Sequence, residues 1–397
     1  MKNSPSEFAI LGGTREFAVE QHVGQLYFPE WEQYEAAMRG IVDRKYYTNH
    51  GPLVRELEAR LEDFLQIRNA VTVTNATVGL YLACLALGLE GQILMPSFTF
   101  IAAAQAAVLA GLDPVLCDVD PRTHQMTPAT AERALEARVS AVCPVNLWGG
   151  TCDIPALDDW ARSHDLSLIF DSAHGFGIET TEGKLGRFGR AEVFSFHATK
   201  ILTATEGGCV CTDDDELAER IRNMRSNYGI RRPMPVRLTV NARMSEAQAA
   251  IALASLEVID ERVANNRVIF DTYRSVLDTV PGVRLVQPSN VSRSNYQYVV
   301  IEIDDDLFGL SRDLLRSVLR AEGVRARRYF KPGIHRSVPF DTLYPQYVEA
   351  LPVTDRLCDT VLQLPIGALG TTEDAERIGS LICDAHAHAN GLLARGR

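Results

Sequence analysis

From residue 54 onward, apolar and polar positions alternate between two periods. Val54 to Gln66 carries apolar residues at helical spacing with charges between them. Ala70 to Thr74 is a short strand-like run, and Ala76 to Gly88 reads as a helix closed by glycine. Gln92 to Met95 predicts a strand stopped by Pro96, and Thr99 to Ala110 a helix stopped by Gly111. The same exchange continues with strands at 114–117, 139–145 and 166–170 and helices near 129–137 and 156–164. Two further strands, 192–196 and 209–212, precede a helix over 215–225. Alternation of this kind predicts an α/β fold, a mostly parallel sheet with helices on both faces.

The rhythm then changes. Residues 230–240 are rich in Arg, Pro and Met without a period and read as a loop. Ser245 to Leu277 is helical with a break. After Pro281-Gly282, strands at 283–286, 296–303 and 324–329 surround a helix at 312–322, and a last helix lies within 373–393. This predicts a large α/β domain over 1–265, including the N-terminal segment 1–50, and a smaller α+β domain over 266–397.

Composition narrows the classes of function. The 397 residues carry a net charge of −11, which argues against nucleic acid or an anionic membrane as partner. No apolar run reaches the roughly 18 residues of a membrane span. The first eight residues lack the basic and apolar regions of a signal peptide. The eight cysteines form no CxxC pair and read as buried reduced thiols, so a cytoplasmic protein is expected. Cys209 and Cys211 have no histidine partners nearby in the sequence and are not read as metal ligands. Lysine occurs only at 2, 45, 184, 200 and 331, so five side chains alone can supply an amine nucleophile.

Ligands of an open parallel sheet bind beyond the C-terminal strand ends. After Ala70–Thr74 come Asn75-Ala76-Thr77, small residues opening a helix, where free backbone N–H groups suit a phosphate. After Leu166–Phe170 comes Asp171, a charge at the end of an apolar strand that has to be paired or solvated. After Glu192–Phe196 come His197-Ala198-Thr199-Lys200. A phosphate-type helix start, a strand-end carboxylate and a strand-end lysine on one sheet match the needs of pyridoxal phosphate. The lysine binds it covalently, the carboxylate pairs with the ring nitrogen and the donors hold the phosphate. Phe98 or Phe100, after Pro96, could stack on the ring.

The stretches PSFTF (96–100), PVNLWG (144–149), FDSAHGFG (170–177), VFSFHATK (193–200), EGG (206–208), NARMSEAQAAI (241–251) and RRYFKPGIH (327–335) carry a resemblance that spans nearly the whole chain. The sequence resembles the DegT/DnrJ/StrS sugar aminotransferases. The resemblance implies fold-type I, with a mostly parallel seven-stranded sheet, and pyridoxal 5'-phosphate as cofactor, with pyridoxamine phosphate as its aminated form. By position, Lys200 matches the Schiff-base lysine and Asp171 the carboxylate at the ring nitrogen. His174 matches the residue near the phenolic oxygen. Ala76, Thr77 and Ser195 match phosphate contacts, and Phe100 the stacking aromatic. Asn241 matches an asparagine that reaches the neighbouring subunit's cofactor, which implies a homodimer with shared sites. Tyr329 and His335 are implied near the sugar. In two places the pattern differs: Asn146 stands where the family has histidine, and Ala76 where it has glycine.

The resemblance further implies transfer of an amino group from L-glutamate to a nucleotide-linked, dTDP-type 4-keto-6-deoxyhexose. Arg325, Arg327 and Arg328 offer cations for a diphosphate. A keto-cyclitol aminotransferase shares every catalytic residue and stays open, as does a non-catalytic ligand-sensing protein on the same fold. A dehydratase of the family would carry histidine in place of Lys200. A nicotinamide enzyme is disfavoured because no GxGxxG follows a predicted strand.

Overall fold

The computed structural model describes residues 2–395. Seven strands form the larger sheet: β1 (Asn69–Val73), β2 (Gln92–Pro96), β3 (Asp113–Cys117), β4 (Val139–Val142), β5 (Ser167–Asp171), β6 (Ala191–Ser195) and β7 (Gly208–Thr212). Their order is β1-β7-β6-β5-β4-β2-β3. Every neighbouring pair is parallel except the two made by β7. All residues of β1, β6 and β7 are buried. Their near-continuous runs of Val, Ala, Phe and Cys fit strands covered on both faces.

Parallel pairing brings the C-terminal ends of β2, β5 and β6 to one edge, and β1, antiparallel to β7 as β6 is, ends there too. Antiparallel β7 begins at that same edge, where Gly208 pairs with both Val73 and Ser195. Asn75, the Ser97–Phe100 turn, Asp171 and Ser195 therefore emerge side by side from segments far apart in sequence. Helix α1 (Ala76–Ala86) starts at this edge.

The predicted 245–277 stretch divides at Val258 into α2 (Glu246–Glu257) and α3 (Ile259–Leu277). A capping box opens α2: Gln248 N–H donates to Ser245 Oγ at 3.3 Å, and Ser245 N–H donates to Gln248 Oε1 at 2.9 Å. One apolar cluster fills the space around the larger sheet and reaches Val263, and a second takes over from Ile269, either side of residue 265 within α3. Phe8 and Phe17 join the second cluster although the sequence grouped residues 1–50 with the large unit. Conversely, Ile334, Phe340, Tyr347 and Leu351 pack into the first.

The smaller sheet holds β8 (Val283–Leu285), β9 (Val299–Ile303) and β10 (Val361–Leu364), all antiparallel. Helices α4 (Arg312–Ala321) and α5 (Thr372–Ala387) contribute Leu315, Leu319, Ile378 and Ile382 to its core. Strand β10 was not foreseen, because four residues trapped between a helix and Pro365 carry no readable period. The strand expected at 324–329 shortens to Val324–Arg325 and pairs in parallel with Gln21–His22 instead. The last helical stretch breaks at His388.

Candidate active site

A cavity of about 520 Å³ opens at the strand-end edge. Ala76, Thr77, Asp171 and Ser195 line it from the sheet side, with Phe100, His174 and Lys200 around them. Tyr298, Tyr329 and Phe330 close it from the side of the smaller sheet.

Lys200 ends a tight turn after β6, in which its N–H donates to the His197 carbonyl at 2.9 Å. Its Nζ donates to the Tyr298 hydroxyl at 3.2 Å. Burial pushes the amine down to about 8, against the opposing charge of Asp171. A lowered value of this kind increases the neutral, reactive fraction near neutral pH. An amine-directed acylating reagent is therefore expected to label Lys200 in cofactor-free protein with a midpoint near pH 8, read by peptide mass spectrometry. A midpoint in the ordinary lysine range, about 10.4, would contradict the buried placement.

Asp171 is the last residue of β5 and is 6% exposed. Its Oδ1 accepts the Ala173 N–H at 3.0 Å. Burial raises its carboxyl above the usual range, while that N–H and the Lys200 charge hold it down. His174, also in the cavity lining, has its ring centroid 4.5 Å from that of Tyr298. Its Nδ1 is buried without a partner. Burial, helped by Lys200, holds this imidazole well below its usual range and therefore neutral.

At the far end, Asn75 caps α1 by accepting the Val78 N–H on its side chain at 3.0 Å. The N–H groups of Ala76 and Thr77 have no partner within a helix that starts there. Gly208 makes the close approach possible. A Cβ at this position would lie 2.8 Å from both Ala76 N and the Phe194 carbonyl. Gly208→Ala is expected to push β7 off the helix start. Affinity for a phosphate ligand should then fall roughly tenfold or more, in line with the about 1–3 kcal/mol of typical overpacking. Equilibrium dialysis of the cofactor measures it, and unchanged affinity would refute the cradle.

A buried polar chain supports Asp171 from behind. Asn146 Nδ2 donates to Ser172 Oγ at 2.9 Å, and its Oδ1 accepts the Cys152 N–H at 3.0 Å. Ser172 donates in turn to Glu192, which also accepts the Gly186 N–H at 2.5 Å. Burial pushes the Glu192 carboxyl up to about 7. Asparagine at 146 thus satisfies both neighbours with its one acceptor and one donor end.

The model of the DegT/DnrJ/EryC1/StrS aminotransferase family matches residues 30–382. The chain belongs to this family. It is 34% identical to a dTDP-4-amino-4,6-dideoxy-D-glucose transaminase of Shigella dysenteriae, over 91% of this chain and 97% of that protein. It is 31% identical to a GDP-perosamine synthase of Caulobacter vibrioides, over 85% of this chain and 91% of the relative. Its fold matches the crystal structure of DesI in the presence of its TDP-sugar product, with a TM-score of 0.93 and 40% identity over 99% of each chain. The protein is an aminotransferase of fold-type I.

Within this aminotransferase the residues expected at the site do not all converge. Phe100 lines the cavity and stays 58% exposed. Phe98 is fully buried against His124, Trp148 and Phe330, so of the two candidate rings it belongs to the core. Asn241 is exposed and lies outside the cavity. His335 is not brought to the cavity either: it is fully buried with both ring nitrogens engaged, Nδ1 with Ser97 Oγ at 2.9 Å and Nε2 with Asp355 Oδ1 at 3.0 Å. Its placement is that of a clamp holding the 329–335 loop on the end of β2. The arginine cluster also divides. Arg325 pairs with Glu20 and Arg328 with Asp313, while Arg327 donates to the Tyr329 hydroxyl at 3.1 Å. Sequence reasoning passed over Tyr298 and Phe330. Only the strand-like context of Tyr298 was visible, and its meeting with Lys200, 98 residues away, was not.

Proposed function

We propose that this aminotransferase moves the amino group of L-glutamate onto carbon 4 of a dTDP-linked 4-keto-6-deoxyhexose, using pyridoxal 5'-phosphate. The observation that carries the reading is the meeting of Lys200, Asp171 and the open start of α1 in one cavity. The cavity fits the cofactor on its own chemistry. It has an amine with a lowered pKa, a buried carboxylate lacking a full cationic partner, and a backbone cradle that a Cβ at 208 would fill. In the same lining, the buried Nδ1 of His174 has no partner.

When bound, pyridoxal phosphate supplies an electron sink that makes the carbon beside the nitrogen acidic. The protein's residues do the rest. Lys200 would hold the cofactor through its Nζ, and the same amine would take and return a proton. Asp171 would pair with the ring nitrogen and favour its protonated form, which would also balance the buried charge of the carboxylate. Ala76 and Thr77 N–H groups, with the Ser195 hydroxyl, receive the phosphate. Phe100 and neutral His174, both in the cavity lining, would hold the ring. Tyr329, beside Arg327, contacts the sugar. Asn241, exposed and away from its own cavity, serves the cofactor of a second copy in a homodimer. The cysteines, seven of them buried, fit the cytoplasm as location, and no helix among the described residues is long and apolar enough to cross a membrane.

The test is glutamate-driven amine transfer across a panel of keto nucleotide sugars and keto-inositols. Turnover of a dTDP-4-keto-6-deoxyhexose is expected. Turnover of the inositols alone, or of neither class, would overturn the assignment.

A further inference from the structure

One indole behind the cavity wall organises three of the residues that line it. Trp148 is 2% exposed. Its ring stacks on Phe330 at 5.1 Å, meets Tyr298 edge-on at 5.7 Å and lies 5.6 Å from His174. These three come from distant stretches of the chain, so the position of the wall depends on where the indole sits.

The indole is itself held. Trp148 Nε1 donates to His124 Nδ1 at 3.1 Å. An indole N–H can only donate, so Nδ1 has to be the bare nitrogen and Nε2 carries the hydrogen. Nε2 in turn donates to Glu302 Oε1 at 2.6 Å. Glu302 stands on β9 of the smaller sheet and also accepts from Arg284 and, at 3.2 Å, from Arg356. All three members are buried. His124 and Trp148 both have a φ of +61°, in the left-handed region. Such backbone is strained for residues other than glycine and persists where the surroundings fix it.

We propose that Glu302, His124 and Trp148 form a hydrogen-bonded positioning relay, in which the carboxylate fixes the tautomer of His124 and His124 fixes the indole behind His174, Tyr298 and Phe330. Trp148 acts on the chemistry through its neighbours: Tyr298 holds the Lys200 amine, and His174 lines the cavity with Asp171. A proton on Nδ1 would face the indole N–H and break the relay. Burial, with Arg284 3.3 Å from Nε2 and Arg356 nearby, keeps His124 neutral against the pull of Glu302. The inference rests on the reading of the cavity as the cofactor site.

The test uses cofactor-loaded wild type, Trp148→Phe, His124→Phe, their double variant and Glu302→Gln, which keeps an acceptor for Nε2. Maximal rate and half-saturation are measured for glutamate, together with the pH midpoint of the cofactor's visible band and the melting temperature. Each single phenylalanine variant is expected to lose roughly tenfold in maximal rate, with half-saturation changed less than about twofold, as for a misplaced catalytic group. The double variant should be no slower than the slower single one, because residues acting as a unit do not add. The visible band's midpoint should shift in all three, and Glu302→Gln should keep most of the wild-type rate and midpoint. Multiplying losses in the double variant, an unmoved midpoint, or Glu302→Gln as damaging as His124→Phe would overturn the relay. A wild type that takes up no cofactor overturns the cavity reading as well, whereas a loaded wild type with unaffected variants overturns the relay alone.

Discussion

Lys200→Ala is expected to give a folded, colourless protein that no longer attaches pyridoxal phosphate covalently and transfers amine at least roughly ten-thousand-fold more slowly. The size follows from losing two functions with one side chain, the covalent attachment and the proton carrier. No other lysine is placed to substitute. Lys2 is buried in an ion pair with Glu322 at 3.2 Å, and Lys45 is exposed on the surface. Lys184 donates to the Phe64 carbonyl at 2.8 Å, and Lys331 pairs with Asp359 at 2.7 Å. None of the four lines the cavity. Lys200 makes a single side-chain hydrogen bond, to the Tyr298 hydroxyl, so its truncation should leave the melting temperature close to wild type. A variant that stays yellow and active would remove Lys200 from the mechanism.

Asp171→Asn is the second large effect. The amide has nearly the shape of the carboxylate and can still accept the Ala173 N–H, so the fold should survive. It cannot pair as an anion with a protonated ring nitrogen. Losing one member of a buried charge pair costs about 3–5 kcal/mol, which corresponds to roughly 10²–10³-fold or more in rate if the pair matters in the transition state. The pH dependence has a definite sign. Burial raises the Asp171 carboxyl even against the Ala173 N–H and the Lys200 charge, so ring-nitrogen pairing should restore the anion and strengthen as pH rises through that carboxyl's range. Cofactor affinity of the wild type should therefore weaken on acidification, and that of Asp171→Asn should lose this acid limb. Titration of the visible band from neutral to acid pH separates the two proteins, and identical curves would count against the pairing.

How much of this was legible in the sequence depended on periodicity and on neighbourhood. The seven strands of the larger sheet each left a short apolar run with a clear stop, and strand-end position then singled out Asp171 and Lys200. The scarcity of lysine made the second choice nearly unique. What stayed hidden was everything decided by long-range packing. Strand β10 had too few residues to show a period. Tyr298 reaches Lys200 only because the smaller sheet docks against the strand-end edge. His335 was placed near the sugar by its motif, yet the Ser97 and Asp355 contacts that bury it are made across 238 and 20 residues. Phe98 and Phe100 are two residues apart in one motif. The turn after β2 sends the first into the core and leaves the second at the cavity.

The most direct measurement follows nitrogen itself. Loaded wild-type protein is incubated with glutamate labelled with heavy nitrogen and a dTDP-4-keto-6-deoxyhexose, and the sugar product is examined by mass spectrometry and nuclear magnetic resonance. The heavy nitrogen is expected on carbon 4 of the sugar, with an equal amount of 2-oxoglutarate formed and none with Lys200→Ala. Label that remains entirely in glutamate while the sugar goes unchanged would contradict the assignment.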